Sequence, residues 1–189
     1  MNQTTGRDMW IGAALKAMAR GGVEQVRVEV LATDLGITKG GFYRRFKDRR
    51  AVLDALLETW TRERIAAVQK QTELHGESAR ERLRSLIQLY VERANPQAMA
   101  IELAVRQWAR SDETAAAAVA RVDAARLDNV TRLYSRLGLS GQDAQARAVL
   151  LYAYLFGQSL LFLEQGPRKR ASLMAACADL LTEQVSERA

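Results

Sequence analysis

The fold of this chain is decided by one stretch of its sequence, Val28-Glu29-Val30-Leu31-Ala32-Thr33-Asp34-Leu35-Gly36-Ile37-Thr38-Lys39-Gly40-Gly41-Phe42-Tyr43-Arg44-Arg45-Phe46. Ala32 is small enough for two helices to cross closely, Gly36 allows a sharp turn, and Ile37 is an apolar residue that fills the turn. Thr38 stands where the next helix needs an N-cap. The stretch therefore predicts a helix-turn-helix motif.

The positive charge of the chain is concentrated in and just after this motif. Residues 1–50 contain ten Lys and Arg and five Asp and Glu, a net +5, whereas residues 51–189 contain 18 and 17, a net +1. Between residues 38 and 50 a single acidic residue, Asp48, stands among six cations: Lys39, Arg44, Arg45, Lys47, Arg49 and Arg50. Such a density of cations favours binding to a phosphate backbone, so we expect this part of the chain to bind double-stranded DNA.

The rest of the sequence predicts helices throughout. Apolar residues recur at helical spacing, and no stretch shows the apolar/polar alternation of a strand. The first predicted helix carries such an apolar stripe, formed by Trp10, Ile11, Ala14, Leu15 and Met18. Gly21-Gly22 and Leu137-Gly138 are typical of helix ends, and Ser78 followed by Glu81 has the form of a capping box. We predict an all-α protein with a three-helix N-terminal head, a helical body, and about nine helices near residues 7–20, 28–35, 39–46, 49–71, 78–91, 96–108, 113–137, 140–161 and 171–181.

Composition excludes several classes of protein. Cys177 is the single cysteine, so no intramolecular disulfide can form, and His75 is the single histidine, which argues against a metal site built from histidine pairs. No apolar run is long enough to span a bilayer, and the first residues lack the apolar core of a signal peptide. We expect a cytoplasmic protein without a metal, a cofactor, a membrane partner or catalytic activity.

The stretch Gly36-Ile37-Thr38-Lys39-Gly40-Gly41-Phe42-Tyr43-Arg44-Arg45-Phe46-Lys47-Asp48-Arg49-Arg50-Ala51-Val52 resembles the head of the TetR family of bacterial repressors. The family pattern is close to Gly-Val-Ser-x-Gly-x-x-Tyr-x-His-Phe-x-x-Lys-x-x-Leu. The resemblance is clear over about residues 7–60, and the nine-helix layout extends it through the chain. It implies that the third helix enters the major groove of DNA.

The resemblance also implies which residues meet DNA. Base-facing or groove-edge positions fall to Lys39, Gly41, Arg44 and Arg45, of which Arg45 replaces the usual histidine, and phosphate contacts fall to Thr38 and Tyr43. Arg49 takes the place of a lysine that anchors a phosphate, and the glycines let the short helix approach the DNA backbone. The full predicted DNA-binding set is Arg27, Thr38, Lys39, Gly40, Gly41, Tyr43, Arg44, Arg45, Lys47 and Arg49.

The predicted body has two further roles. We expect residues 1–50 to form the DNA-binding domain and residues 51–189 a ligand-binding and dimerisation domain. The last two helices carry more apolar surface than one core needs, which predicts a homodimer through them. A side chain with aromatic bulk or a polar handle could line a pocket for a small-molecule effector: Trp60, Tyr90, Met99, Arg106, Trp108, Tyr134 and, less centrally, His75.

Together these features predict a transcriptional regulator, a repressor that binds a palindromic operator as a homodimer and is released by a small-molecule ligand. One alternative is an architectural DNA-binding protein without a ligand, which would tolerate many DNA sequences. Another is an all-helical enzyme or carrier with an incidental basic end, for which the chain offers few nucleophiles or bases.

Overall fold

The structure, a computed structural model, describes residues 6–72, 78–91, 95–161 and 167–183. In these ranges it contains helices and no strand, as the sequence predicts. The predicted break at His75 and the predicted helix breaker Gly166 lie outside the described residues. The described residues form nine α-helices: α1 (Gly6–Gly21), α2 (Val28–Leu35), α3 (Lys39–Tyr43), α4 (Arg49–Thr72), α5 (Ala79–Val91), α6 (Pro96–Trp108), α7 (Glu113–Arg136), α8 (Gly141–Gly157) and α9 (Pro167–Thr182).

The chain packs into two compact units. The first comprises residues 1–67 and 95–123, and the second comprises residues 68–94 and 124–189. A packing unit and a functional domain are different divisions of a chain, so the predicted boundary at residue 50 stays a prediction. No described helix is both long and apolar enough to cross a membrane.

The first unit is built around α1, which packs against α2 and α6. The predicted apolar stripe of α1 is buried, with Trp10, Ala14 and Met18 at most 2% exposed. The chain leaves α1 at Gly22, whose φ of 73° lies in the left-handed region that glycine tolerates. A short 3₁₀ helix, Val23–Gln25, follows, which the sequence did not predict.

The turn of the helix-turn-helix has the expected cause. Gly36 adopts φ 64° and ψ 29° and ends α2, and the N–H of Ile37 donates to the carbonyl of Ala32 at 3.0 Å. Such hydrogen bonds provide donors for carbonyl groups that the end of α2 would otherwise leave without a partner. The prediction that Gly36 terminates the second helix is therefore confirmed.

Three details of this motif differ from expectation. Thr38 lies at the N-cap position of α3, but its side chain makes no cap hydrogen bond. Ile37 fills the turn only in part, because it is 41% exposed. The third helix ends at Tyr43 instead of Phe46, since Gly40 and Gly41 weaken a short helix and Asp48 caps α4 soon afterwards, accepting from the Ala51 N–H at 2.9 Å.

The second unit contains α5, α8 and α9 and the later part of α7. The capping box is confirmed: the Ser78 N–H donates to Glu81 Oε2 at 2.7 Å, and the Glu81 N–H donates to Ser78 Oγ at 3.2 Å. The bond from the Ser78 backbone N–H to the carboxylate lowers the pKa of Glu81. Helix α8 ends at Gly157 and not near Leu161, because turn hydrogen bonds replace the helical pattern over residues 158–160.

Candidate nucleic-acid interface

Helix α3 is fixed to the first unit by aromatic packing. Phe42 is fully buried, with its ring edge-on to Trp10 at a centroid distance of 5.2 Å and stacked on Phe46 at 5.4 Å. Such contacts hold the five-residue helix in one orientation, although its own length gives it little stability. The side chains on its outer face are therefore presented from a rigid base.

Several residues of the predicted set are exposed and have no side-chain hydrogen bond or ion pair within the described parts of the chain. Tyr43 is 59% exposed, and its ring lies edge-on to Phe42 at 5.3 Å, which leaves its hydroxyl on the surface. Arg44, Lys47 and Arg27 are also exposed, and none of the three side chains makes a hydrogen bond or ion pair within the described parts of the chain. These side chains can meet phosphates or base edges without first leaving a partner.

Lys39 is exposed but already paired. Its Nζ lies 2.8 Å from Glu29 Oε1 on α2, and both side chains are more than half exposed. The hydrogen bond from Lys39 lowers the pKa of Glu29, and the same bond raises the pKa of Lys39. A DNA contact by Lys39 therefore requires it to exchange a carboxylate for a phosphate or a base.

Arg45 is exposed and lies beside the start of α1. A Cβ added at Gly6 would meet Arg45 Nε at 3.2 Å, so the guanidinium rests against the first turn of that helix. Arg7, one residue later, has its guanidinium 5.0 Å from the centroid of the Phe46 ring. Arg7 thus joins the exposed cations near α3. No local pattern in the sequence indicates this placement, because Arg7 precedes the first residue of α3 by more than thirty residues.

Arg49 is the predicted site residue most engaged within the protein. It is half-buried, and its Nε and Nη2 each donate at 2.6 Å, to the carbonyls of Val26 and Val23 respectively. These bonds tie the start of α4 to the 3₁₀ helix. The predicted contact of Arg49 with a phosphate stays a prediction. Only the guanidinium N–H groups that these two bonds leave free could make it.

The two glycines of α3 occupy different positions. Gly40 is exposed, and a Cβ there would lie 3.7 Å from Thr38 Oγ1. A Cβ at Gly41 would instead contact Trp10 Cζ2 at 3.7 Å and Ile37 Cδ1 at 3.9 Å, so this position faces the packing of the first unit. Thr38 itself is exposed, with its hydroxyl left open by the missing cap bond.

The structure divides the predicted effector residues between the two units. Trp60, Met99, Arg106 and Trp108 belong to the first unit, whereas Tyr90 and Tyr134 belong to the second. Trp108 is buried in the core of the first unit.

The two tyrosines are engaged within the second unit. Tyr90 lies edge-on to Phe156 at 6.2 Å, and Tyr134 donates its hydroxyl to the Leu181 carbonyl at 2.9 Å. Burial raises the pKa of Tyr134 to about 12. Both tyrosines therefore have structural roles in this conformation.

Arg106 is held by two carboxylates. Its Nε lies 2.8 Å from Glu102 Oε1, as the helical spacing allows, and its two Nη atoms meet the two oxygens of Asp123, Nη1 at 2.9 Å. Glu102 is buried, at 3% exposure. The arginine thus neutralises a buried charge, and an anionic ligand would have to compete with both partners.

Trp60 lines a pocket of about 150 Å³ within the first unit. The pocket lies where α1, α4 and α6 meet. Its lining residues are Leu15, Trp60, Glu63, Arg64, Asn95, Gln97, Ala98 and Ile101. No cluster of three or more potential metal ligands occurs in the described ranges.

The sequence and the structure of this chain resemble those of known proteins. Residues 11–56 match the family described as bacterial regulatory proteins, tetR family. No protein with a curated description matches the sequence. The matched segment contains most of α1, all of α2 and α3, and the start of α4, the elements that build and support the exposed basic surface.

Solved structures are similar over nearly the whole chain. A protein described as a TetR-family transcriptional regulator of a Rhodococcus species is 25% identical, with a TM-score of 0.74 over 94% of this chain and 99% of its own. A TetR transcriptional regulator from Legionella pneumophila is 12% identical, with a TM-score of 0.81 over 97% and 100%. A transcriptional regulator from Saccharomonospora viridis in complex with choline is 22% identical, with a TM-score of 0.74 over 98% and 100%.

A helix-turn-helix with an exposed basic third helix, followed by a helical body, defines a DNA-binding transcriptional regulator. Within that class, the head of the chain matches the tetR family of bacterial regulatory proteins, and the whole chain is similar in structure to TetR-family regulators.

Proposed function

We propose that this regulator is a repressor that binds a palindromic operator as a homodimer and leaves it when a small molecule binds. The observation that carries the proposal is the surface of α3. Arg44 and Lys47, just after a helix anchored by the buried Phe42, are exposed beside Tyr43 and have no ion-pair partner among the described residues. This arrangement suits a helix that enters the major groove and contacts phosphates at the groove edge.

Exposed apolar side chains support the homodimer. On the last two helices and the turn after α8, large apolar residues are between 39% and 69% exposed: Val149, Leu150, Leu160, Leu161, Leu173 and Leu180. So many exposed large apolar side chains on neighbouring segments are uncommon on a monomer, and a second copy would remove them from water. A dimer would also place the α3 helices of its two subunits in successive major grooves of the DNA, about 34–36 Å apart.

For the effector, the proposal is limited to its class, a small molecule. One structural relative was solved with choline, which concerns that protein alone. A ligand releases an operator only to the extent that it binds the non-operator conformation more tightly. The predicted effector residues Trp60, Tyr90, Met99, Arg106, Trp108 and Tyr134 keep that role as a prediction. We place the protein in the cytoplasm, where bacterial DNA lies, and assign it no catalytic activity.

The test is a fluorescence-anisotropy titration of the full chain with DNA from upstream of its own gene and with scrambled DNA, at several salt concentrations. We expect tight, salt-sensitive binding to the upstream DNA with two subunits per site, and weaker binding to the scrambled DNA. Equal binding to both would favour an architectural protein. Absence of binding to either at low salt would refute the proposal.

A further inference from the structure

The pocket between α1, α4 and α6 is large enough for a small molecule and is lined in part by apolar side chains. It holds about 150 Å³, and apolar side chains from all three helices line it, Leu15 from α1, Trp60 from α4 and Ile101 from α6. An apolar cavity of roughly this volume is large enough for a benzene ring. The pocket therefore has room for a small organic body.

Arg64 contributes a positive charge to the wall of the pocket. The residue lines the pocket and is half-buried, yet it makes no ion pair within the described chain, and its Nε is buried without a hydrogen-bond partner. Arginines removed from water are normally paired, as Arg106 is in the same unit. An unpaired guanidinium in a pocket wall favours an anionic ligand.

The other polar groups point to the same chemistry. The indole Nε1 of Trp60 is buried and has no acceptor, and Asn95 uses its Oδ1 to accept from the Ala98 N–H at 2.9 Å, which leaves its NH₂ group as a donor. Donors predominate among the open groups, so the complementary ligand group is an acceptor. A carboxylate is preferred over a neutral carbonyl because hydrogen bonds to a charged acceptor are stronger.

Two features limit the affinity. Glu63 also lines the pocket, and its negative charge opposes an anion, although its side chain is exposed and screened by solvent. The Nε atoms of Arg64 and Trp60 are out of contact with water, so a ligand first meets the accessible part of the Arg64 side chain. We therefore expect weak, millimolar binding.

We propose that this pocket binds a small monocarboxylate, with its carboxylate at the Arg64 guanidinium and its apolar or aromatic body against Leu15 and Trp60. Because α1 packs on both α2 and α6, a ligand held here shifts the support of the helix-turn-helix and weakens DNA binding. The effect on DNA rests on the proposed function, whereas ligand binding by itself does not.

Binding is measured by fluorine NMR of trifluoroacetate, para-fluorobenzoate and para-fluorophenylacetate, each up to about 10 mM, with the full-length protein. We expect at least one to bind, and the matching neutral amide to bind about tenfold more weakly. Arg64→Met, which keeps the apolar stem, should weaken binding about tenfold, and Glu63→Gln should strengthen it. Arg62→Met is the matched control, because Arg62 is an exposed cation on the same helix that does not line the pocket.

The outcomes separate the two proposals. If none of the three acids binds, or if Arg64→Met and Arg62→Met behave alike, the pocket assignment is wrong while operator binding can stand. If an acid binds but changes operator affinity by less than about fivefold, the link to DNA is wrong. If the protein binds the acid through Arg64 but binds no DNA, the pocket stands and the proposed repressor function fails.

Discussion

The cations around α3 differ in the partners that they already have within the protein. Arg44 and Lys47 have no partner in the described chain, Lys39 pairs with Glu29, and Arg49 donates to two backbone carbonyls. A cation that must leave a partner gains less from a phosphate than one that is merely hydrated. We therefore expect Arg44 and Lys47 to contribute more to DNA affinity than their sequence position alone suggests.

Arg44→Ala tests the unpaired group. If Arg44 reads a base, the substitution should weaken operator binding by about 1–3 kcal/mol and flatten discrimination at one base pair, with little change on scrambled DNA. Anisotropy titrations on both DNAs measure the two losses. Arg62→Ala is the control, since this exposed arginine lies thirteen residues along α4 from its first residue, about 20 Å away. Equal losses on both DNAs would assign Arg44 to a phosphate.

Glu29→Gln tests the paired group. Removing the carboxylate releases Lys39 and takes a negative charge away from the DNA-facing side, so affinity should rise by a similar factor for operator and scrambled DNA, and the ratio between the two affinities should stay about the same. Glu24→Gln is the matched control, because Glu24 is exposed in the same unit and does not contact Lys39. Unchanged affinity in Glu29→Gln would mean that the pair does not compete with DNA.

The same pair has a pH dependence of known sign. The pKa of Glu29 is lowered in the folded protein, so its stabilising contribution is present above the ordinary pKa of glutamate and is lost as pH falls through the lowered pKa. An NMR titration of the side-chain carboxyl should show this low pKa in the wild type. In a Lys39→Met variant it should return towards the ordinary value, and a pKa that does not move would contradict the pairing.

At the scale of elements, the geometry of the helix-turn-helix depends on one backbone conformation. Gly36 has a φ of 64°, and a Cβ there would meet no atom within 4 Å, so any cost of a side chain comes from the backbone alone. Gly12 provides the contrast, because it lies within the regular helix α1 and a Cβ there also meets nothing within 4 Å.

Alanine at the two positions should therefore have opposite effects. Gly36→Ala should lower the free energy of unfolding by about 1 kcal/mol, because an L-residue in the left-handed region is strained. Gly12→Ala should raise it by about 0.5–1 kcal/mol, because alanine restricts the unfolded chain and favours the helix. Urea unfolding followed by circular dichroism measures both, and a stabilising Gly36→Ala would show that the turn does not need a positive φ.

At the scale of the whole molecule, the proposed operator complex depends on a second copy of the chain. Leu150 on α8 is 59% exposed and Leu89 on α5 is 49% exposed, so the two offer similar substitution sites on different helices of the second unit. The proposal assigns α8 to the subunit interface and leaves α5 outside it.

Leu150→Glu should give monomers that bind operator DNA weakly, because a charge in an apolar interface loses its hydration and finds no partner. Leu89→Glu should leave the dimer and its operator affinity intact. Sedimentation velocity gives the mass of each variant, and circular dichroism checks that both are folded. A monomeric Leu89→Glu together with a dimeric Leu150→Glu would move the interface to another surface.

The sequence by itself determined the helices and the turn. Gly36, the capping box of Ser78 and Glu81, and the apolar stripe of α1 are all where the sequence predicted them, because each depends on residues no more than a few positions apart. The excess of cations between residues 38 and 50 was likewise visible without a structure. Local chemistry was sufficient for the fold class and for locating the basic region around α3, whose contact with DNA stays a prediction.

Only the tertiary structure decided what individual side chains do. Arg49 donates to carbonyls 23 and 26 residues away, Lys39 pairs with a glutamate ten residues earlier, and the pocket beside Arg64 needs helices separated by about eighty residues of chain, α1 and α6. Side chains with several possible partners are assigned by whichever group the packed backbone brings within hydrogen-bond distance. That choice is set by packing between distant segments, which periodicity and spacing along the chain do not encode.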